Sequence, residues 1–391
     1  MHRQVLLLSS AQALFQTVSV LVMTVGGLAG SQIAPGPQFA TAPIAAMFLG
    51  TAVATVPASI WMARAGRRSG FVAGAALGTL GGLVAAFGVL TGSLLVLCLG
   101  TMLVGAYQGF AQFYRFAASE VSDEAFRPKA ISLVLAGGIV AALLGPALGR
   151  LGGPLLAPEY TGSFLLLAAV SLVATGLLLG VRIPQPHLIG AEPAGRPLME
   201  IARQPTYLVA LFGAATGYGI MILAMTATPL AMVGHGHDLW DAALVIQLHV
   251  LGMFLPSFFT GSLIARFGVL RIMLVGVGLF IGHVMMSLSG TDFPSYASAL
   301  VLLGVGWNFL YVGGTSLLTE TYTPAERGRA QAMNDMTIVA IGLISSLGAG
   351  ALMQTVGWQS MNMLLLPWLA VAALAIVWLG WRRRESRATL R

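Results

Sequence analysis

Charged side chains are scarce in this 391-residue chain: Asp, Glu, Lys and Arg together make up 8% of it, whereas hydrophobic residues make up 57%. Soluble proteins carry roughly 25% charged residues, because most of their surface faces water. A chain so poor in charge has lipid around most of its surface. The scarcity excludes the two or three soluble domains that the length alone would suggest.

Cysteine is nearly absent as well. Cys98 is the only one, which excludes an intramolecular disulfide and a metal site built from several thiolates. The formal net charge is +7, but the basic residues fall at the ends of apolar segments rather than in one patch, so nucleic acid is not an expected partner. No phosphate-binding loop or catalytic constellation appears. We therefore expect neither an enzyme nor a bound cofactor.

What the chain has instead is a series of long apolar segments, since a helix needs roughly 20 apolar residues to cross the hydrocarbon core. Six of these spans run at 5–29, 39–62, 71–90, 93–117, 130–153 and 161–182. Six more run at 206–232, 240–265, 269–290, 294–318, 329–355 and 360–381. The predicted fold class is an all-α membrane protein with twelve transmembrane helices. The first span is too long for a signal-peptide core, so we expect it to remain uncleaved.

Arginines predict the orientation, because positively charged loops stay in the cytoplasm. Nearly all of them fall at one side of the predicted spans, and Arg150 alone lies towards the other. Both termini and a proline-rich linker are therefore expected in the cytoplasm. The predicted organisation is an N-terminal six-helix bundle over 1–182, a linker over 183–205, and a C-terminal six-helix bundle over 206–391 that ends in a short basic tail.

An internal repeat joins the two halves. Arg64-Ala-Gly66 after span 2 returns as Arg266-Phe-Gly268 after span 8, and Glu120 after span 4 returns as Glu320 after span 10. The second loop, 261–268, resembles the Gly-x-Leu-x-Asp-Arg-x-Gly signature of the major facilitator superfamily, with Ala265 in place of the Asp. The resemblance implies two bundles that rock about a binding site near the bilayer midplane.

Sulfur and imidazole groups occur in pairs on two consecutive spans. Span 7 contains Met221 and Met225, and span 8 contains His249 and Met253. Each pair has i,i+4 spacing, which places both side chains on one helix face. The rise of 1.5 Å per residue puts the four groups at overlapping depths near mid-membrane. Thioethers are soft ligands, and three of them with an imidazole suit Cu(I) better than Zn, Fe or Mn.

Core packing is the competing interpretation of these pairs. The chain has 18 methionines, and methionine commonly fills gaps between apolar side chains. Either pair alone would be read as packing. The two together, with a histidine inside the membrane, favour a metal site because intramembrane ionisable residues are costly and usually functional.

The two pairs also resemble a narrower family, the CcoA-type copper importers within the superfamily. That resemblance makes Met221 and His249 the principal ligands, and Met225 and Met253 auxiliary ones. It implies copper uptake across the bacterial inner membrane by alternating access, to supply the assembly of a cbb-type cytochrome c oxidase. The expected partners are the copper ion, the lipid bilayer, and a copper chaperone or oxidase assembly factors.

Two further sets of residues have predicted roles. His235 and His237, in the outer loop between spans 7 and 8, could capture metal at the entrance, although an ordinary polar loop is the simpler interpretation. Asp335 lies about two turns into span 11, where an unpaired carboxylate would be costly. We predict that it pairs with Arg64 or Arg68 and thereby closes the cytoplasmic side, with proton coupling as the alternative.

Several polar and aromatic residues fall on spans that line the cavity in this superfamily, but their spacing does not identify a ligand. They are Gln12, Gln16, Gln108, Gln112, Trp307, Asn308 and Tyr311. Two other functions remain open. A carrier that exports a small apolar drug or metabolite would use the methionine and aromatic residues as an apolar pocket. A membrane sensor or assembly partner that transports nothing is the second alternative.

Overall fold

The computed structural model describes residues 2–123, 126, 130, 133–134, 136–183, 195–323 and 326–388, and within these ranges it contains helices and no strand. Its first seven α-helices are α1 His2–Ile33, α2 Ala42–Ala65, α3 Arg67–Leu90, α4 Leu94–Ala111, α5 Tyr114–Glu120, α6 Gly137–Gly152 and α7 Thr161–Leu179. The next five are α8 Leu198–Ala202, α9 Pro205–Gly234, α10 Leu239–Phe254, α11 Ser257–Phe267 and α12 Val269–Ser289. The last four are α13 Phe293–Leu318, α14 Arg327–Thr355, α15 Gly357–Met363 and α16 Leu365–Ala388.

Membrane crossing accounts for this architecture, because a chain in hydrocarbon must satisfy its backbone hydrogen bonds within each segment. Among the described residues, 11 helical segments are long and apolar enough to cross a bilayer, or up to 12 if the bent pair α10–α11 is one span. The predicted all-α membrane fold is thus confirmed. The predicted eighth span, however, is not one straight helix, because α10 and α11 meet at 42°.

The chain forms two compact units. The first comprises Met1–His187, Met225–Val250 and Ser346–Thr355, and the second comprises Leu188–Ala224, Leu251–Ser345 and Val356–Arg391. The predicted bundles at 1–182 and 206–391 stay a prediction, and residues 184–194 of the predicted linker lie outside the described residues.

Close helix crossing holds the first unit together, and it depends on glycines in α2 and α4. A Cβ atom at Gly105 of α4 would overlap the backbone carbonyl oxygen of Met47 in α2, and a Cβ at Gly50 would overlap that of Met102. The Thr51 hydroxyl lies in the same crossing, 3.1 Å from both the Met47 and the Gly105 carbonyl oxygens. Small residues allow such close backbone approach in membrane helices.

The internal repeat adopts the same backbone conformation in both copies. Gly66 caps the C-terminal end of α2 with φ 87° and ψ 154°, and Gly268 caps that of α11 with φ 88° and ψ 146°. Each glycine N–H donates to a carbonyl four residues earlier, that of Met62 or Ile264. A positive φ of this size favours glycine, because a Cβ would clash with the backbone. This requirement explains why the glycine recurs in both halves of the sequence.

Within the first unit, Arg150 at the end of α6 contacts the start of α10. Its guanidinium carbon lies 3.4 Å from the centre of the Trp240 ring, a cation–π arrangement. Next to it, a Cβ atom at Gly153 would lie 2.8 Å from the Leu239 side chain. Arg150, the one arginine predicted towards the outer side, therefore has a cation–π partner within its own unit.

Candidate functional site

The break between α10 and α11 is built around Pro256, which has no N–H and cannot continue the helical hydrogen bonding. Asn308 of α13 is fully buried beside it. Its Nδ2 donates to the Met253 carbonyl oxygen at 2.8 Å and to Ser257 Oγ at 2.6 Å. Its Oδ1 accepts from Thr260 Oγ1 at 2.6 Å. We infer that Asn308 stabilises the bent span, a role that sequence reasoning missed when it placed this residue on the pathway.

Replacing Asn308 with alanine should lower the thermal midpoint of the purified protein in detergent. The substitution leaves a buried carbonyl and two hydroxyls short of a partner, and each such loss costs about 1–3 kcal/mol. Asn308→Asp is the matched variant, because it keeps the acceptor for Thr260 and loses the donors to Met253 and Ser257. We expect it to lower the midpoint as well, and an unchanged midpoint in both variants would contradict the stabilisation of the bent span by Asn308.

The four predicted copper ligands lie in the predicted spans and are all buried. Met221 and Met225 lie in α9, and His249 and Met253 lie in α10. The exposed fractions of these side chains are 3%, 4%, 0% and 8%, in that order. Met225 and His249 belong to the first compact unit, and Met221 and Met253 to the second. The i,i+4 arrangement of each pair is therefore present, while the convergence of all four on one ion stays a prediction.

The two histidines of the predicted entrance lie between α9 and α10. His235 is exposed, and His237 is half-buried with its Nδ1 3.4 Å from Asp241 Oδ2. The Asp238 carboxylate accepts a hydrogen bond from the Asp241 N–H at 2.8 Å at the start of α10. Over the described part of the chain, His, Cys, Asp and Glu form no group of three or more that could hold a metal ion. Metal capture at His235 and His237 stays a prediction.

The predicted latch residues lie at helix ends and in α14. Arg64 lies in the last turn of α2 and Arg68 in the first turn of α3, both exposed. Asp335 is half-buried in α14, and its Oδ1 accepts a hydrogen bond from Asn334 Nδ2 at 3.1 Å. Pairing of Asp335 with either arginine stays a prediction.

The linker carries a different ion pair that sequence reasoning missed. Arg196 donates to Glu326 through Nε and Nη2, both at 2.8 Å, and the Thr323 N–H donates to the same carboxylate at 2.9 Å. Glu326 is 2% exposed. The guanidinium and the backbone N–H hold the pKa of Glu326 well below its usual range. Because the pKa is lowered by folding, this stabilisation is present at neutral pH and is lost as the pH falls through the acidic range.

A row of aromatic rings crosses three helices of the second unit. Trp307 and Tyr311 of α13 stack with ring centres 4.9 Å apart and an interplanar angle of 12°. Phe254 of α10 lies 6.2 Å from Trp307, and Tyr218 of α9 lies 6.2 Å from Tyr311. Trp307 is 8% exposed, and its Nε1 has no hydrogen-bond partner among the described residues. We name these four residues the aromatic row.

The helices that carry the aromatic row are nearly uncharged. α9, α10 and α13 together contain one acidic residue, Asp241 near the start of α10, and they contain no Lys or Arg. Trp307 and Tyr311 were among the residues that the sequence placed on a cavity-lining span, with no spacing that identified a ligand. Phe254 and Tyr218 were missed, because only the packing of three helices brings them to the row. The arrangement suits a neutral, flat, aromatic ligand better than an anion.

The helices and the row define a polytopic membrane protein with an apolar aromatic site. Two overlapping matches to the family model Major Facilitator Superfamily cover residues 6–309 and 244–391. The chain therefore belongs to the major facilitator superfamily, whose members are transporters and not enzymes.

Individual relatives agree with this family. The riboflavin transporter RfnT of Brucella anthropi is 39% identical over 381 residues, which are 96% of this chain and 95% of that one. The solved structure of a nucleoside transporter, NupG, has a TM-score of 0.73 at 14% identity and covers 96% of this chain and 99% of its own. A D-xylose-proton symporter has a TM-score of 0.72 at 16% identity and covers 96% of each chain. The superfamily resemblance seen in the sequence is confirmed, while the narrower resemblance to CcoA-type copper importers finds no support.

Proposed function

We propose that this protein transports riboflavin, or a solute with the same flat tricyclic ring, across the membrane by alternating access. The aromatic row carries the proposal. A tricyclic ring offers two π faces, and stacked or edge-on aromatic pairs contribute about 0.5–1.5 kcal/mol beyond the area they bury. The full-length similarity to a protein named as a riboflavin transporter is independent support.

Copper remains the function predicted from Met221 and His249, but one observation weighs against it and a second has an explanation without copper. The relative that aligns over 96% of this chain is named for riboflavin. All four sulfur and imidazole groups are buried, as expected also of side chains that fill gaps in a core. The predicted role in cytochrome oxidase assembly and the predicted copper chaperone both depend on copper transport, so the first of these observations weighs against them as well. An export carrier for a small apolar solute would use the same aromatic row, so the direction of transport is measured in the same experiment.

The test is transport by the purified protein in proteoliposomes. Riboflavin is fluorescent, so its accumulation and its release can both be followed, and Cu(I) uptake is measured in the same preparation. We expect protein-dependent riboflavin movement and no copper uptake above empty liposomes. Copper uptake without riboflavin movement would overturn the proposal and restore the copper prediction.

Met221→Leu distinguishes core packing from copper ligation within one variant, because leucine keeps the volume and apolarity of methionine and removes its sulfur. If Met221 packs in the core, riboflavin transport should stay within about twofold of the unmodified protein, since volume-conserving swaps cost little. If Met221 is a copper ligand, copper transport should be abolished. His249→Ala is the companion variant for the copper arm, because the imidazole would be the strongest donor of the four.

A further inference from the structure

An open cavity of about 390 Å³ lies at one end of the first unit, where α3 begins and the chain leaves α7. Arg68, Val181, Arg182 and Ile183 line it. Two guanidinium groups and two apolar side chains therefore share this surface, and no acidic side chain is among them. A cavity of this composition at the end of two membrane helices fits a ligand with an anionic part and an apolar part.

The two guanidinium groups of the cavity are exposed, and neither has an acidic partner in the described part of the chain. Arg67 gives the contrast, because this sequence neighbour of Arg68 forms an ion pair with Glu120. Arg182 is held through its backbone, whose N–H donates to the side-chain oxygen of Gln4 in α1 at 2.8 Å. A guanidinium group binds phosphate through parallel hydrogen bonds. The pair therefore favours a phosphate group as the anionic part of the ligand.

An apolar stripe on α7 leads to the same cavity. Leu165, Leu172 and Leu179 follow one another at intervals of seven residues, and their exposed fractions are 37%, 60% and 53%, in that order. Residues seven apart lie on nearly the same helix face, so we name these three residues the leucine stripe. Beyond Leu179 the turn continues, since the Val181 N–H donates to a carbonyl oxygen three residues earlier. Arg182 therefore follows the end of the stripe by about one turn.

We propose that this cavity binds the phosphate headgroup of an anionic phospholipid, with Arg68 and Arg182 on the phosphate and an acyl chain along the leucine stripe. Net charge selects the lipid, because phosphatidylcholine carries the same phosphate beside a compensating ammonium group. The acyl chain distinguishes a lipid from free phosphate, since only the lipid buries apolar surface against the stripe. All of these residues belong to the first unit, and the site is independent of the transported solute.

Native mass spectrometry of the purified protein in a neutral detergent tests the proposal, with phosphatidylglycerol, phosphatidylcholine and inorganic phosphate as probes. The first phosphatidylglycerol should bind at least about fivefold more tightly than the first phosphatidylcholine, and inorganic phosphate at equal concentration should not displace it. Fivefold corresponds to about 1 kcal/mol, the contribution of one arginine near an anionic membrane surface. Arg68→Gln and Arg182→Gln should each weaken phosphatidylglycerol binding by about this factor.

Arg271→Gln is the matched control, because Arg271 is an exposed arginine in the first turn of α12 and does not line the cavity. It removes the same charge and should leave the affinity for phosphatidylglycerol within about twofold. Arg182→Lys keeps the charge and should retain most of the binding. Arg68 was also predicted to pair with Asp335, so Arg182→Gln is the deciding variant. Unchanged phosphatidylglycerol affinity in Arg182→Gln, equal affinity for the two lipids, or displacement by inorganic phosphate would overturn the proposal.

Discussion

Replacing Trp307 with leucine is expected to reduce riboflavin transport by about ten- to a hundredfold. Trp307 is the centre of the aromatic row, stacked on Tyr311 and in edge contact with Phe254. Alanine substitution of a ring that stacks on a nucleic-acid base costs about 1–3 kcal/mol, and each 1.4 kcal/mol is a factor of ten. Trp307→Phe keeps an aromatic face and should retain much of the activity.

Trp381→Leu is the control for the loss of an indole. Trp381 lies in α16 and is 61% exposed, so its ring is at the surface and is not part of the aromatic row. Transport rates and riboflavin affinity are compared at equal amounts of reconstituted protein. Wild-type affinity in Trp307→Leu would remove the aromatic row from the binding site, whereas equal losses in Trp307→Leu and Trp381→Leu would indicate a general effect on the fold.

Replacing Gly105 with leucine should abolish the folded protein. The added Cβ overlaps a backbone carbonyl oxygen of α2, and a backbone atom cannot move aside as the end of a flexible side chain can. Inserting carbon atoms into a well-packed core typically costs 1–3 kcal/mol, and we expect this site to exceed about 3 kcal/mol because the two backbones must separate. The hydrogen bond from Thr51 Oγ1 to the Gly105 carbonyl oxygen across the crossing is lost with it.

Gly176→Leu is the matched control, since a Cβ atom at Gly176 of α7 meets nothing within 4 Å. Both variants are judged by yield of monodisperse protein in detergent and by thermal midpoint. We expect Gly176→Leu to behave as the unmodified protein does. A folded Gly105→Leu with an unchanged midpoint would show that α2 and α4 do not cross as closely as described.

The candidate site was only partly visible in the sequence. The i,i+4 spacing of Met221 with Met225, and of His249 with Met253, placed two side chains on one face of each helix. Spacing alone could not show what that face contacts, because the rotation of a helix about its axis depends on its neighbours. The same limit applies to Asn308, because its hydrogen bond to the bent span forms only when α13 packs beside Pro256.

Sequence alone determined that this is an all-α membrane protein of the major facilitator type with a repeated half. Those properties are local, because each segment must be apolar over its own length to lie in lipid, and each loop glycine must adopt its own φ. Only the tertiary structure decided which side chains meet. The aromatic row joins Tyr218, Phe254 and Trp307 from three helices, and Asn308 of α13 donates to the Met253 carbonyl oxygen of α10. Recognition of a solute depends on such long-range convergence, and no periodicity along the chain encodes it.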